Sequence, residues 1–254
     1  MQEVGSFVAI GDSFTEGYGD YYQDGSCQGW ADRVARMLAV GSPGLAYANL
    51  AVRGKLLHQV ISEQVPPAIA MQPDLISLAA GGNDLLRPKA DPQALAASFE
   101  QAVIQLRPAA DRMLLFSGFD PSGLPLMRLI REKVIAYNSR IKEIAARHDC
   151  LHVELWKMSV LADPREWCPD RLHLSADGHR RVALNVAETL GLPVSEDWQT
   201  PLEPDAAASS GWLASRRQDL HWARVYAAPW IWRRVRGVSS GDGMPAKRPD
   251  LLPL

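Results

Sequence analysis

The feature that most constrains this chain is the regular alternation of short apolar runs with longer stretches of helical periodicity. Runs at Ser6–Ile10, Tyr47–Leu50, Leu75–Ala79, Met113–Ser117 and Leu151–Leu155 are bounded by Gly, Asp, Pro or Asn. Each has the composition of a strand buried on both faces of a parallel sheet. Helical patterns intervene at Trp30–Ala39, Lys55–Met71, Pro92–Leu106, Leu124–Arg147 and Ser175–Leu190. Pro66 and Pro67 must break or kink the second, since proline lacks the N–H that a helix interior needs. In the fourth, Leu126, Leu129, Ile130, Val134, Tyr137, Ile141 and Ile144 form a core-facing stripe. This order predicts an α/β fold, a flavodoxin-like three-layer α/β/α sandwich around a five-stranded parallel sheet.

With 254 residues, 47% of them hydrophobic, the chain suits one large domain plus an appendage rather than two equal domains. The expected division is a main body over 1–195 and, from about Glu196, a linker punctuated by Pro201 and Pro204 that leads into a Trp/Arg-rich helical extension over 196–254. The last residues, with Gly241, Gly243, Pro245, Pro249 and Pro253, read as irregular. A formal net charge of -2 argues against a global commitment to nucleic acid or to an anionic membrane. Cys27, Cys150 and Cys168 are widely spaced and form no CxxC pair, so neither a disulfide framework nor a zinc site is indicated. A reduced, cytoplasmic setting is expected. Met1–Gly5 carries no basic and apolar leader pattern, and no uncharged run approaches the roughly 20 residues that span a bilayer.

Ligands of open parallel sheets bind beyond the carboxyl ends of the strands, so reactive residues that follow strands matter most. Four segments qualify: Gly11-Asp12-Ser13-Phe14, Asn49 to Gly54, Gly81-Gly82-Asn83-Asp84, and Asp170-Arg171-Leu172-His173. Acyl transfer to water needs a nucleophile, a base, a group that orients the base, and donors for a developing oxyanion. Ser13 at a strand-to-helix turn can expose both its hydroxyl and its backbone N–H. Gly54 lets a second N–H approach a substrate, and the Asn83 amide offers a third donor. His173 suits the base, because free imidazole titrates at roughly 6.5. Asp170, three residues earlier, can reach the other ring nitrogen. The order Ser, Asp, His matches an α/β-hydrolase, but the Gly-x-Ser-x-Gly elbow is missing.

Together, Gly-Asp-Ser near the start, the Gly of the second block, Gly-x-Asn-Asp and Asp-x-x-His resemble the blocks of the SGNH (GDSL-type) hydrolases. The resemblance covers roughly residues 5–192. It implies that Ser13 is the nucleophile, that Ser13, Gly54 and Asn83 form the oxyanion hole, and that Asp170 and His173 complete the triad. It also implies a small-molecule ester substrate, a cleavage through an acyl-serine intermediate, and no metal or organic cofactor. Short-acyl esters are the expected substrates. One departure is Phe14, where the family usually has Leu.

Other readings stand beside these, among them a catalytically silent ligand-binding module and a lysophospholipase or thioesterase docked to a surface by its C-terminal tail. Asp12 or Ser13 could simply cap a helix, and the Gly-Gly-Asn-Asp segment could be only a turn. His179 reads as structural, since Ser175-Ala176-Asp177-Gly178 opens the last helix. Asp84 and Asp12 are expected to hold loops, and the cysteines to fill space. The stretch from Glu16 to Trp30, with Tyr18, Tyr21 and Tyr22, and the segment Phe119-Asp120-Pro121-Ser122 are candidate pocket walls. Trp212, Trp222, Trp230 and Trp232 interleave with Arg216, Arg217, Arg224, Arg233, Arg234 and Arg236. Three readings remain for that segment: a helix packed on the body, a self-association surface or lid, and contact with anionic lipid or single-stranded nucleic acid.

Overall fold

A computed structural model describes residues 3–123, 127–203, 219–229, 232, 236 and 238–254. Strands β1 (Ser6–Gly11), β2 (Ala46–Asn49), β3 (Leu75–Ala79), β4 (Arg112–Ser117), β5 (Leu151–Glu154) and β6 (Arg248–Pro253) form one sheet in the order β5-β4-β3-β1-β2-β6. Neighbours pair in parallel except β2 with β6, which is antiparallel. The helices are α1 (Ser13–Glu16), α2 (Gly29–Gly41), α3 (Leu57–Glu63), α4 (Val65–Met71), α5 (Gly82–Leu85), α6 (Pro92–Leu106), α7 (Arg131–Arg147) and α8 (Ala176–Leu190).

The period-2 geometry of β1 explains why its apolar run is unbroken. Phe7 and Ala9 enter a core with Trp30, Val34 and Leu38 of α2 and Val182 and Val186 of α8. Val8 and Ile10 enter the opposite core with Val60 of α3, Phe99 and Val103 of α6 and Ile141 of α7. The sheet is therefore covered on both faces, as the sequence predicts for this fold class. The strand order turns at β1, which leads to β2 on one side and has β3 on the other. A crevice forms at such a turn, beyond the carboxyl ends of β1 and β3.

The two prolines end one helix and begin the next: α3 stops at Glu63, and Pro66 and Pro67 lie in the first turn of α4, where a missing N–H is harmless. The break leaves Gln64 buried beneath the end of β1. Its Oε1 accepts from Gly11 N–H at 2.8 Å, and its Nε2 donates to the Gly11 carbonyl at 2.9 Å. A helix break thus fixes the residue two positions before Ser13.

The structure corrects two expectations. The helix predicted over 124–147 begins only at Arg131, after a 3-10 turn at Met127–Ile130, and Leu129 is 78% exposed; Leu126 lies outside the described residues. The chain end predicted as irregular is β6, an edge strand and the sixth of the sheet. Its prolines hid it, since proline is tolerated on an edge where one row of N–H groups has no partner strand. Residues 219–229 are helical, with a π-type turn at Ala223–Ala227. Trp212, Trp230, Arg216, Arg217, Arg233 and Arg234 lie outside the described residues.

Candidate active site

The site starts from the tight exit of β1. Asp12 caps α1, its Oδ1 accepting from Phe14 N–H at 3.1 Å, and this single helical turn carries Ser13. Phe14, the departure noted in the sequence, packs among Trp30, Phe116 and His179 with ring centroids 5.6, 5.7 and 6.2 Å away. Asn49, at the end of β2, donates to the Thr15 carbonyl at 2.9 Å. Glu16, 6% exposed, accepts from Arg53 N–H at 2.7 Å and also from the Arg53 guanidinium, tying the loop after β2 to α1.

That loop carries Gly54 at φ 75°, a left-handed conformation that favours glycine. A Cβ at Gly54 would also stand 1.9 Å from Ser239 Oγ of the C-terminal segment. Asn83, in α5 after β3, reaches the same loop: its Nδ2 donates to the Lys55 carbonyl at 3.1 Å and to Asp12 Oδ2 at 3.3 Å. Asp84 accepts from Leu57 N–H at 3.0 Å and so holds the loop, as the sequence suggests. Gly81, at φ 103°, lies against Tyr137, whose hydroxyl would stand 2.6 Å from any Cβ there.

Asp170 and His173 lie in a turn between short 3-10 segments and α8. Asp170 Oδ2 is 2.6 Å from His173 Nδ1, and Asp170 Oδ1 accepts from Leu172 and His173 N–H at 3.0 and 3.1 Å. Burial opposes ionisation of Asp170, but the bond to His173, its charge and the two N–H groups outweigh it and hold the carboxyl below its ordinary value. The His173 ring also meets Tyr18 edge-on, with centroids 4.5 Å apart, and the Arg53 guanidinium covers Tyr18 at 4.4 Å.

These elements converge on one cavity of about 160 Å³, lined by Ser13, Asn83 and His173. Its other walls are mostly apolar and include Phe14, Leu85, Phe116, Phe119, Val134, Leu155, Trp167 and Leu172; no Lys or Arg lines it among the described residues. Tyr18 and Phe119 contribute walls, as the sequence proposes for their loops. So do Val134 and Tyr137 of the α7 stripe, which sequence reasoning assigned to the core alone. Gly54 does not line the cavity; it stands one residue from the Lys55 carbonyl that holds Asn83. Ser13 and His173 both line the cavity, and among the described residues no hydrogen bond joins Ser13 Oγ to His173.

Two buried groups set the electrostatics. Burial pushes Asp12 up to about 6, against the pull of the Phe14 N–H and of the His173 charge. Burial likewise lowers His179 to about 4. The neutral His179 ring accepts from Trp30 N–H through Nδ1 and donates through Nε2 to the Tyr18 carbonyl, both at 3.3 Å. It therefore ties α8 and α2 to the Tyr18 loop, which is the structural role its sequence context suggests. The contributions of Arg53, Gln64 and Trp222 escape sequence reasoning. Only Arg53 carries a local signal, by preceding Gly54.

The sequence profile of the GDSL-like lipase/acylhydrolase family matches residues 9–181. The chain belongs to this family. It is accordingly a carboxylic ester hydrolase. No curated protein matches the sequence significantly. Among solved structures, a mutant of Axe2, described as an acetyl-xylooligosaccharide esterase from Geobacillus stearothermophilus, is similar at 20% identity and TM-score 0.64. That match covers 77% of this chain and 100% of the other. An α/β-hydrolase enzyme, LAE5, from the metagenome of Lake Arreo is similar at 18% identity and TM-score 0.62, covering 74% and 95%. These likenesses show that the family member has the fold of these enzymes. Among the described residues no helix is long and apolar enough to cross a membrane.

Proposed function

We propose that the protein hydrolyses short-acyl esters through an acyl-Ser13 intermediate. The observation that carries this reading is the 2.6 Å contact of Asp170 with His173, whose ring lines the same apolar cavity as Ser13 and Asn83. Asp170 holds the Nδ1–H tautomer of His173, leaving Nε2 free of a proton to take the one on Ser13 Oγ as it attacks the ester carbonyl. His173 then returns that proton to the leaving alcohol. A water molecule, deprotonated by the same imidazole, releases the acid and restores Ser13.

The oxyanion is met by the backbone N–H of Ser13 and by Asn83 Nδ2; Gly54, expected from the sequence as a further donor, stands outside the cavity lining beside the Lys55 carbonyl that holds Asn83. The long Asn83–Asp12 contact of 3.3 Å is the one that yields to the oxyanion. The acyl group occupies the apolar cavity, whose size is comparable to the roughly 150 Å³ cavity that takes up benzene. An uncharged acyl group of a few carbons fits there, and the acetyl group removed by the similar Geobacillus esterase stands at the short end of that range. Catalytic mutants of that esterase alter a serine, an aspartate and a histidine, the three residue types assigned here. A cytoplasmic setting agrees with three cysteines that are free.

The test is hydrolysis of p-nitrophenyl esters from acetyl to long-chain acyl. Turnover is expected to peak at short chains and to fall about 10²–10³-fold in Asn83→Ala. A maximum at long chains overturns the acyl assignment. Full activity in Asn83→Ala overturns its role as oxyanion donor.

A further inference from the structure

The C-terminal segment beyond the family match, which ends at residue 181, reaches the site at two points. The first is the Asp170–His173 turn. Trp222 Nε1–H donates to the Asp170 carbonyl at 2.9 Å. The next residue, Arg171, has φ 56°, a left-handed conformation unfavourable for a side chain with a Cβ. Its guanidinium is held at 2.7 Å by Asp219 and lies 5.3 Å from the centre of the Trp222 ring. A strained turn persists only where its surroundings over-determine it, and here those surroundings include residues some 50 positions later.

The second point is the Gly54 loop. Ser239 packs directly on Gly54, and its hydroxyl donates to the Arg53 carbonyl at 3.4 Å. Gly241 lies so close that a Cβ on it would stand 2.0 Å from the same carbonyl. Beyond it, Lys247 is ion-paired with Asp32 at 2.7 Å and donates to the Gln28 carbonyl at 2.6 Å, and β6 then pairs with β2. Residues 238–254 are anchored to the body on one side of the site, and Asp219 and Trp222 grip the Asp170 turn on the other.

We infer that this C-terminal segment is a positioning element of the active site, and that Trp222 is the residue through which it sets the Asp170–His173 turn. An exposed ion pair such as Arg171–Asp219 adds little stability alone. A hydrogen bond to the backbone of the orienting aspartate instead fixes where its carboxylate points. Small misplacements of such a group cost rate rather than substrate binding.

The inference rests on the serine mechanism proposed above, and the test separates the two. Trp222→Phe keeps the ring and removes the Nε1–H. Its kcat, normalised to the Ser13 sites titrated by a fluorophosphonate so that misfolded protein does not count, is expected to fall about tenfold. KM should stay within about twofold. In an Asp170→Asn background the same change should add less than about twofold, because Trp222 acts through Asp170. An unchanged kcat, a loss confined to KM, or equal losses in both backgrounds overturns the positioning role. A wild type that the phosphonate leaves unlabelled overturns the serine mechanism itself.

Discussion

The two sides of the active site are held in different ways. Ser13 stands at the end of a central strand, on a turn flanked by Asp12 at 7% and Glu16 at 6% exposure, with Gly11 clasped by Gln64 and Thr15 by Asn49. The Asp170–His173 turn is half-buried at every position, carries a left-handed Arg171, and leans on side chains from Tyr18 and the C-terminal segment. Ser13, the proposed nucleophile, is therefore positioned by the same buried contacts that hold the fold together. Asp170 and His173, the proposed acid–base pair, are positioned by contacts the fold could lose. Damage on the first side should show as lost stability, and damage on the second as lost rate.

Asp170→Asn tests the rate side. It should lower kcat about 10⁴-fold by favouring the wrong His173 tautomer, with unfolding free energy changed by less than about 1 kcal/mol. A large stability loss in urea denaturation would break the contrast. On the nucleophile side, Glu16→Ala strands the Arg53 guanidinium, whose side chain is 18% exposed, and should cost about 3–4 kcal/mol of stability. A variant as stable as wild type would show that this clamp is dispensable.

Gly54→Ala combines an unfavourable left-handed φ with the collision at Ser239 Oγ, and about 2–3 kcal/mol of destabilisation is expected. Adding Ser239→Gly should return about 1 kcal/mol by removing the collision, while the backbone cost remains. No recovery in thermal or chemical melts would mean that Ser239 yields freely.

A pH-dependent effect concerns His179. Its folded value of about 4 lies below the ordinary 6.5, so the unfolded chain binds the proton more readily and stability falls as pH drops through that interval. Between about pH 7.5 and pH 5 this residue should remove about 2 kcal/mol, a loss absent from His179→Gln. Denaturation curves of both proteins at the two pH values check it; parallel acid losses would refute the neutral buried ring.

Much of this arrangement was legible in the sequence because its signals are local. Runs such as Leu75–Ala79 have their extent set by burial on both faces, and Pro92–Leu106 by its own apolar spacing and its proline at the start. Ser13, Asn83, Asp170 and His173 each sit just beyond a strand or before a helix, where chain order alone brings them to one rim. What escaped depends on distant partners. β6 forms only because β2 offers an edge, Trp222 matters only through a carbonyl far earlier in the chain, and Val134 and Tyr137 look like ordinary core until the cavity beside them is seen.

The most direct test of the account is the intact mass of the protein after treatment with a fluorophosphonate, with Ser13→Ala alongside and ester turnover measured on both. The account predicts one phosphonyl adduct on the wild type, none on the variant, and turnover lower in the variant by on the order of 10⁶-fold. An unlabelled wild type, or a variant that is labelled and turns over as well as the wild type, would contradict the assignment of Ser13 as nucleophile.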